Sequence, residues 1–182
     1  MPEGWEDAWR TFHHGARVGR LWVGPPWETV VVDPGRAFGT GAHPTTRLTL
    51  ELLQEVEPGS LLDVGCGSGV LSIAAVKLGF APVLAVDVDA TAVEATLENA
   101  ARNGVELESR VADALADELP ATELVVANIA LDVVEALLPR LHASCAITSG
   151  YLDRDEPRAA GWGRVGRRTE GGWAADMFRR SS

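Results

Sequence analysis

The stretch Leu61-Leu62-Asp63-Val64-Gly65-Cys66-Gly67-Ser68-Gly69 constrains the fold more than any other part of the chain. Leu61 to Val64 reads as a buried strand carrying one acid, and three alternating glycines follow where the backbone must bend tightly and approach a ligand. Val70 to Leu78 then spaces Leu71, Ala74, Ala75 and Leu78 as a helix does. A strand entering a helix through a glycine turn marks a cofactor crevice. In a dinucleotide fingerprint the third glycine stands three residues after the second, whereas Gly69 follows Gly67 by two. That spacing disfavours NAD and favours a cofactor without a pyrophosphate.

Twenty-two residues past Gly65, the apolar run Pro82 to Val86 ends in Asp87-Val88-Asp89. A carboxylate at the tip of a second strand faces the crevice over the carboxyl ends of a parallel sheet and can accept both hydroxyls of a ribose. Asp87 is assigned that role, and Asp89 the capping of the helix that follows. Asp113, after a third short strand, stands where it can accept from an adenine amino group; a solvated loop acid is the alternative.

Strands are predicted over 60–64, 82–87, 107–111, 123–128 and 143–149, and helices over 70–79, 91–103 and 131–140. A further helix over 44–56 begins at Pro44, the position proline tolerates best. This alternation implies a parallel sheet with helices on both faces. The tail, near 163–168 and 173–178, adds an antiparallel hairpin that finishes a mixed sheet. Residues 1–32 read as a segment packing on the core, with a helix over 3–11 anchored by Trp5 and Trp9 and strands around 18–23 and 29–32; residues 33–182 form the main domain.

A chain of 182 residues, 46% hydrophobic, suits one α/β unit. Its net charge of -10 argues against a nucleic-acid footprint over the whole surface, although residues 153–182 carry seven arginines against five acids. Cys66 and Cys145 are not expected to pair, which suggests a reducing, cytoplasmic setting. No apolar run reaches the length of a membrane span, and no metal-ligand or P-loop spacing occurs, so neither a metal nor a membrane is expected.

The block Asp33-Pro34-Gly35-Arg36-Ala37-Phe38-Gly39-Thr40-Gly41-Ala42-His43-Pro44-Thr45-Thr46 is a dense loop just ahead of the first cofactor strand. Phe38 can pack on a cofactor, and the amides and hydroxyls of Thr45 and Thr46 at a helix start can bind a carboxylate. Together with Asp63 to Gly69, Val86 to Asp89, Asn99 to Gly104 and Val126-Ala127-Asn128-Ile129, this block resembles the methyltransferases that modify ribosomal protein eleven of the bacterial large subunit. The resemblance runs over nearly the whole chain. It implies a Rossmann-like seven-stranded mixed sheet of the class I methyltransferase type, using S-adenosylmethionine. It implies cofactor contacts at Thr46, Gly65, Asp87 and Asn128, to which the residues' own chemistry adds Phe38, Thr40, Gly41, Thr45, Asp63, Gly67, Gly69 and Asp113. The family methylates amines, on lysine side chains and an N-terminal amine.

Two departures bear on the substrate. Family members carry a separate recognition domain ahead of the catalytic one, and this chain is expected to lack it. After Asn128 the sequence reads Ile129-Ala130-Leu131-Asp132-Val133, where family members more often have a small-residue loop and where the related glutamine and adenine amino methyltransferases carry a proline-proline-aromatic run. A flexible amine is therefore favoured over a planar acceptor. Asn128 can aim its carbonyl at that amine, and His43 can assist proton loss; for His43 the alternative is a residue that structures the loop, and for Asn128 a polar strand end bonded to backbone. His13, His14 and His142 have no assigned role. The leading expectation is a protein amine methyltransferase acting on ribosomal protein eleven or a similar protein, without direct nucleic-acid binding. A small-molecule amine methyltransferase and a non-catalytic cofactor-binding module are the alternatives.

Overall fold

The computed structural model describes residues 16–19, 21–24, 30–31 and 43–181. A three-stranded sheet joins β1 (Ala16–Val18), β2 (Leu21–Gly24) and β3 (Val30–Val31). The main sheet has seven strands: β4 (Leu61–Val64), β5 (Val83–Asp87), β6 (Glu108–Val111), β7 (Thr122–Asn128), β8 (Ala143–Leu152), β9 (Trp162–Glu170) and β10 (Trp173–Arg180). Its order is β6-β5-β4-β7-β8-β10-β9, with β4 to β8 parallel and β10 antiparallel to both neighbours. The expected mixed sheet of seven strands is therefore present, and the hairpin at its end is β9–β10.

The central strands form because their residues are apolar on both faces. In β4, Leu61 belongs to one core cluster and Leu62 and Val64 to the other, and all three are buried. The first cluster packs beneath α1 (Pro44–Leu53), α2 (Val70–Leu78) and Ala100 of α3 (Ala90–Arg102); the second packs beneath α4 (Leu131–Leu137). Because β4 has β5 on one side and β7 on the other, the chain reverses its order there and opens a crevice at the carboxyl ends of those strands.

Some expected boundaries move. The strand expected over 18–23 is two strands, β1 and β2, turned at Gly19, whose φ of 56° is the left-handed conformation glycine tolerates. The helix expected over 131–140 ends at Leu137 and tightens into a 3-10 turn over Leu138–Arg140, where Pro139 withholds an amide. The strand expected to end at 149 runs on to Leu152 past Gly150, at φ 102°. There the register with β10 shifts, leaving Gly150 opposite no residue. The helix expected over 3–11, with Trp5 and Trp9, lies outside the described residues, as do His13 and His14.

Candidate functional site

At the carboxyl end of β4, Gly65, Gly67 and Gly69 adopt φ of 73°, 56° and 80°. The amides of Gly65 and Cys66 both donate to the Val86 carbonyl, tying the turn to β5. From the other side, Thr96 of α3 donates its hydroxyl to the Gly67 carbonyl at 3.1 Å, and Asn99 donates its side-chain amide to the Ser68 carbonyl at 2.9 Å. Thr96 and Asn99 are buried polar residues on a helix face otherwise made of Ala92, Val93 and Ala100. Sequence reasoning gave them no role, although polar residues one turn apart on an apolar helix face are the signal that would have found them.

Asp87 ends β5 with both oxygens engaged by backbone: Oδ2 accepts the Gly67 amide and Oδ1 the Asp89 amide, each at 3.0 Å. Each oxygen keeps a lone pair for a further donor. Asp89 caps α3 as expected, accepting the Thr91 amide at 2.8 Å. Asp63 lies beneath the turn, 1% exposed, and accepts the Ser72 hydroxyl on Oδ2 at 2.6 Å. Its Oδ1 has no partner among the described residues. Burial pushes the Asp63 carboxyl up to about 6, against the hydrogen bond from Ser72 and with a smaller push from the Asp87 charge. Burial likewise raises the Cys66 thiol to about 12, so it is an inert part of the turn.

Asp113 stands two residues past the end of β6, is exposed, and accepts the Leu115 amide on Oδ1 at 2.8 Å. Along the same strand ends Val88, Val111 and Leu115 are exposed apolar residues. Apolar side chains left to solvent beside acids at strand ends suit the face of a planar ring, and the sequence reading did not single them out.

Across the crevice Asn128 ends β7, and its Nδ2 donates to Thr45 Oγ1 at 3.2 Å. Thr45 Oγ1 is 2.8 Å from His43 Nδ1, and His43 is the N-cap of α1, its Nδ1 accepting the Thr45 amide at 3.4 Å. Of the two roles open to His43, the structuring one is on display. Burial, then the Arg47 guanidinium, holds its imidazole below the ordinary value. Trp173, at the start of β10, meets the His43 ring edge to face with centroids 5.0 Å apart. Arg47 pairs in bidentate fashion with Glu170 at 3.0 and 2.8 Å, drawing the β9–β10 turn against α1. Thr46 is buried in the first turn of α1.

The structure thus brings Asp63, the three glycines and Asp87 together on one side and His43, Thr45 and Asn128 on the other. Phe38, Thr40 and Gly41 lie outside the described residues.

A family model described as ribosomal protein L11 methyltransferase (PrmA) matches residues 2–161. The ribosomal protein L11 methyltransferase of Symbiobacterium thermophilum is 42% identical, with 95% of this chain and 64% of that protein covered. That of Yersinia pseudotuberculosis is also 42% identical, over 81% of this chain and 54% of its own length. The chain therefore spans between about half and two thirds of the curated relatives it matches. Among solved structures, a ribosomal protein L11 methylase from Lactobacillus delbrueckii subsp. bulgaricus superposes with a TM-score of 0.81 at 32% identity, covering 93% of this chain and 100% of that one. With this motif order, this sheet and these relatives, the chain belongs to the ribosomal protein L11 methyltransferase family.

Proposed function

We propose that this chain transfers a methyl group from S-adenosylmethionine to amino groups of a protein, on lysine side chains or at an N-terminus, with ribosomal protein L11 as first candidate. The observation that carries the reading is the pairing of a glycine turn and ribose-type acid with a carboxamide across one switch-point crevice, in a chain of this family. Acting on a ribosomal protein would place it in the cytoplasm.

The residues present fit the cofactor. Asp87 has lone pairs for the two ribose hydroxyls, and Asp63 offers a buried carboxylate oxygen that the described residues leave unpaired, chemistry suited to an ammonium group. Val88 and Leu115, apolar and exposed, would take the adenine ring, with Asp113 accepting from its amino group, and Thr46 with the start of α1 would serve the methionine carboxylate. The cofactor, when bound, supplies a methyl group already activated by its sulfonium.

What remains for the chain is alignment and exclusion of water. Asn128 accepts a hydrogen bond from the acceptor nitrogen and turns its lone pair toward the methyl. A lysine amine, with a reference pKa of about 10.4, is neutral in roughly one molecule in a thousand near pH 7, so the site must favour deprotonation by desolvation. With His43 Nδ1 engaged by Thr45, the amine's proton goes to water.

Mass spectrometry of ribosomal protein L11 incubated with this chain and S-adenosylmethionine tests the reading, with Asn128→Ala alongside. Mass added in methyl steps, and a loss of turnover in Asn128→Ala that exceeds its loss of cofactor affinity, are expected. Methylation of a free small amine but not of the protein would reassign the acceptor. Cofactor binding with transfer to neither would leave a binding module.

A further inference from the structure

The Thr45 amide, which can only donate, favours one sense for the hydrogen bonds that link His43 to Asn128. The Thr45 backbone amide can only donate, and it points at His43 Nδ1 at 3.4 Å, so Nδ1 carries a lone pair and the proton of the neutral ring sits on Nε2. The Thr45 hydroxyl, 2.8 Å from the same nitrogen, must then be the donor of that pair. With its proton spent, Thr45 Oγ1 is left to accept, and only the Nδ2 of Asn128 can donate to it, at 3.2 Å. The carboxamide of Asn128 is thereby turned so that Oδ1 is the atom away from Thr45, and Oδ1 accepts nothing from the described residues.

We propose that Thr45 and His43 are positioning residues that set the Asn128 carboxamide, His43 fixing the sense of the chain and Thr45 passing it on, so that the carbonyl oxygen of Asn128 meets the acceptor amine. This rests on the role given to Asn128 above. Protonation of His43 reverses the chain. Nδ1 then donates to Thr45 Oγ1, the Thr45 hydroxyl turns its proton to Asn128, and the carboxamide flips to accept it. The atom offered to the acceptor becomes Nδ2, a donor facing a donor. The charged group described beside His43 is Arg47, one turn along α1 and paired with Glu170 of the β9–β10 turn; Trp173 adds an uncharged ring. Burial and Arg47 both disfavour the protonated ring, which keeps the productive sense through neutral pH.

The test is a pH titration of the nitrogen-15-labelled full chain by NMR, following the His43 ring nitrogens and the Asn128 side-chain amide in the wild type, Thr45→Val and Thr45→Ser. A wild-type Nε2–H tautomer at neutral pH, and an Asn128 amide that shifts with the midpoint of His43, are expected. Thr45→Val should cut that linked shift by about fivefold or more, and Thr45→Ser, which keeps the hydroxyl, should preserve it. An Asn128 amide that ignores His43 in the wild type, or follows it equally in Thr45→Val, overturns the proposal. Turnover on ribosomal protein L11 at saturating cofactor gives the second arm. Thr45→Val should lower kcat about tenfold or more with cofactor Kd changed less than about threefold. A loss confined to cofactor affinity would make Thr45 a cofactor ligand instead. If Asn128→Ala keeps full turnover while the linked titration is present, the role of Asn128 fails and the relay itself stands.

Discussion

On the β4–β5 side of the crevice the recognition groups come from one short run, Asp63 to Gly69, and from Asp87 at the neighbouring strand tip, and they are mostly backbone. On the β7–β10 side they come from His43, Thr45, Asn128 and Trp173, four side chains brought together from three distant parts of the sequence. The first side suits a ligand that never changes, because a backbone turn keeps its shape when side chains are replaced. The second side can be retuned residue by residue, because each of its groups is a side chain that a substitution replaces.

The contrast can be broken most severely at Gly150. With φ at 102° and a Cβ that would overlap the Ile129 backbone, Gly150→Ala must displace the residue next to Asn128. A loss of about 3 kcal/mol in urea denaturation is expected; a cost below about 1 kcal/mol would mean that the backbone on this side yields as readily as its side chains. Asp87→Ala should weaken cofactor binding by about 2 kcal/mol in titration calorimetry, the range for a charged hydrogen bond, while turnover at saturating cofactor changes little. Equal losses would show that the two sides are not separable.

Asp63 gives a third test. Its folded-state value near 6 lies above the unfolded aspartate value of about 3.9, so the folded chain holds this proton more tightly. The Asp63 contribution to the stability of the ligand-free chain therefore falls as pH rises between about 4 and 6, by on the order of 2 kcal/mol, and Asp63→Asn should remove that component of the slope in denaturation curves taken across the range. A slope identical in the wild type and Asp63→Asn would show that Asp63 contributes nothing to it. The smallest effect is expected at Glu170→Gln, which loosens the half-exposed pair with Arg47. About 0.5 kcal/mol of stability should be lost; a much larger thermal shift would mean that the hairpin tip depends on this one pair.

The central parallel strands β4, β5 and β7 were legible because each holds a nearly unbroken apolar run, and the glycine turn because its spacing is backbone geometry written directly in residue types. Boundaries that depend on a single residue were not: Gly150 lets β8 continue where a strand would stop, and Pro139 tightens the end of α4. Within the site, Asp87 and Asp89 could be told apart because one ends a strand and the other precedes a helix. Thr96 and Asn99 were missed because their partners are carbonyls of the turn, which no residue type announces. The edge contact of Trp173 with His43 joins residues that only the sheet order makes neighbours.

The outermost strand, β9, has its own consequence. Nine residues long, it borders the sheet with one row of backbone groups unpaired among the described residues, an edge on which another chain can crystallise into a longer ribbon. Arg164, Arg167 and Arg168 stand along it, fastened by Glu156, Asp176 and Glu55 so that they do not swing aside. Charged pairs set along an open edge make it a poor template for a further strand, so the same side chains that fasten β9 also discourage growth of the sheet.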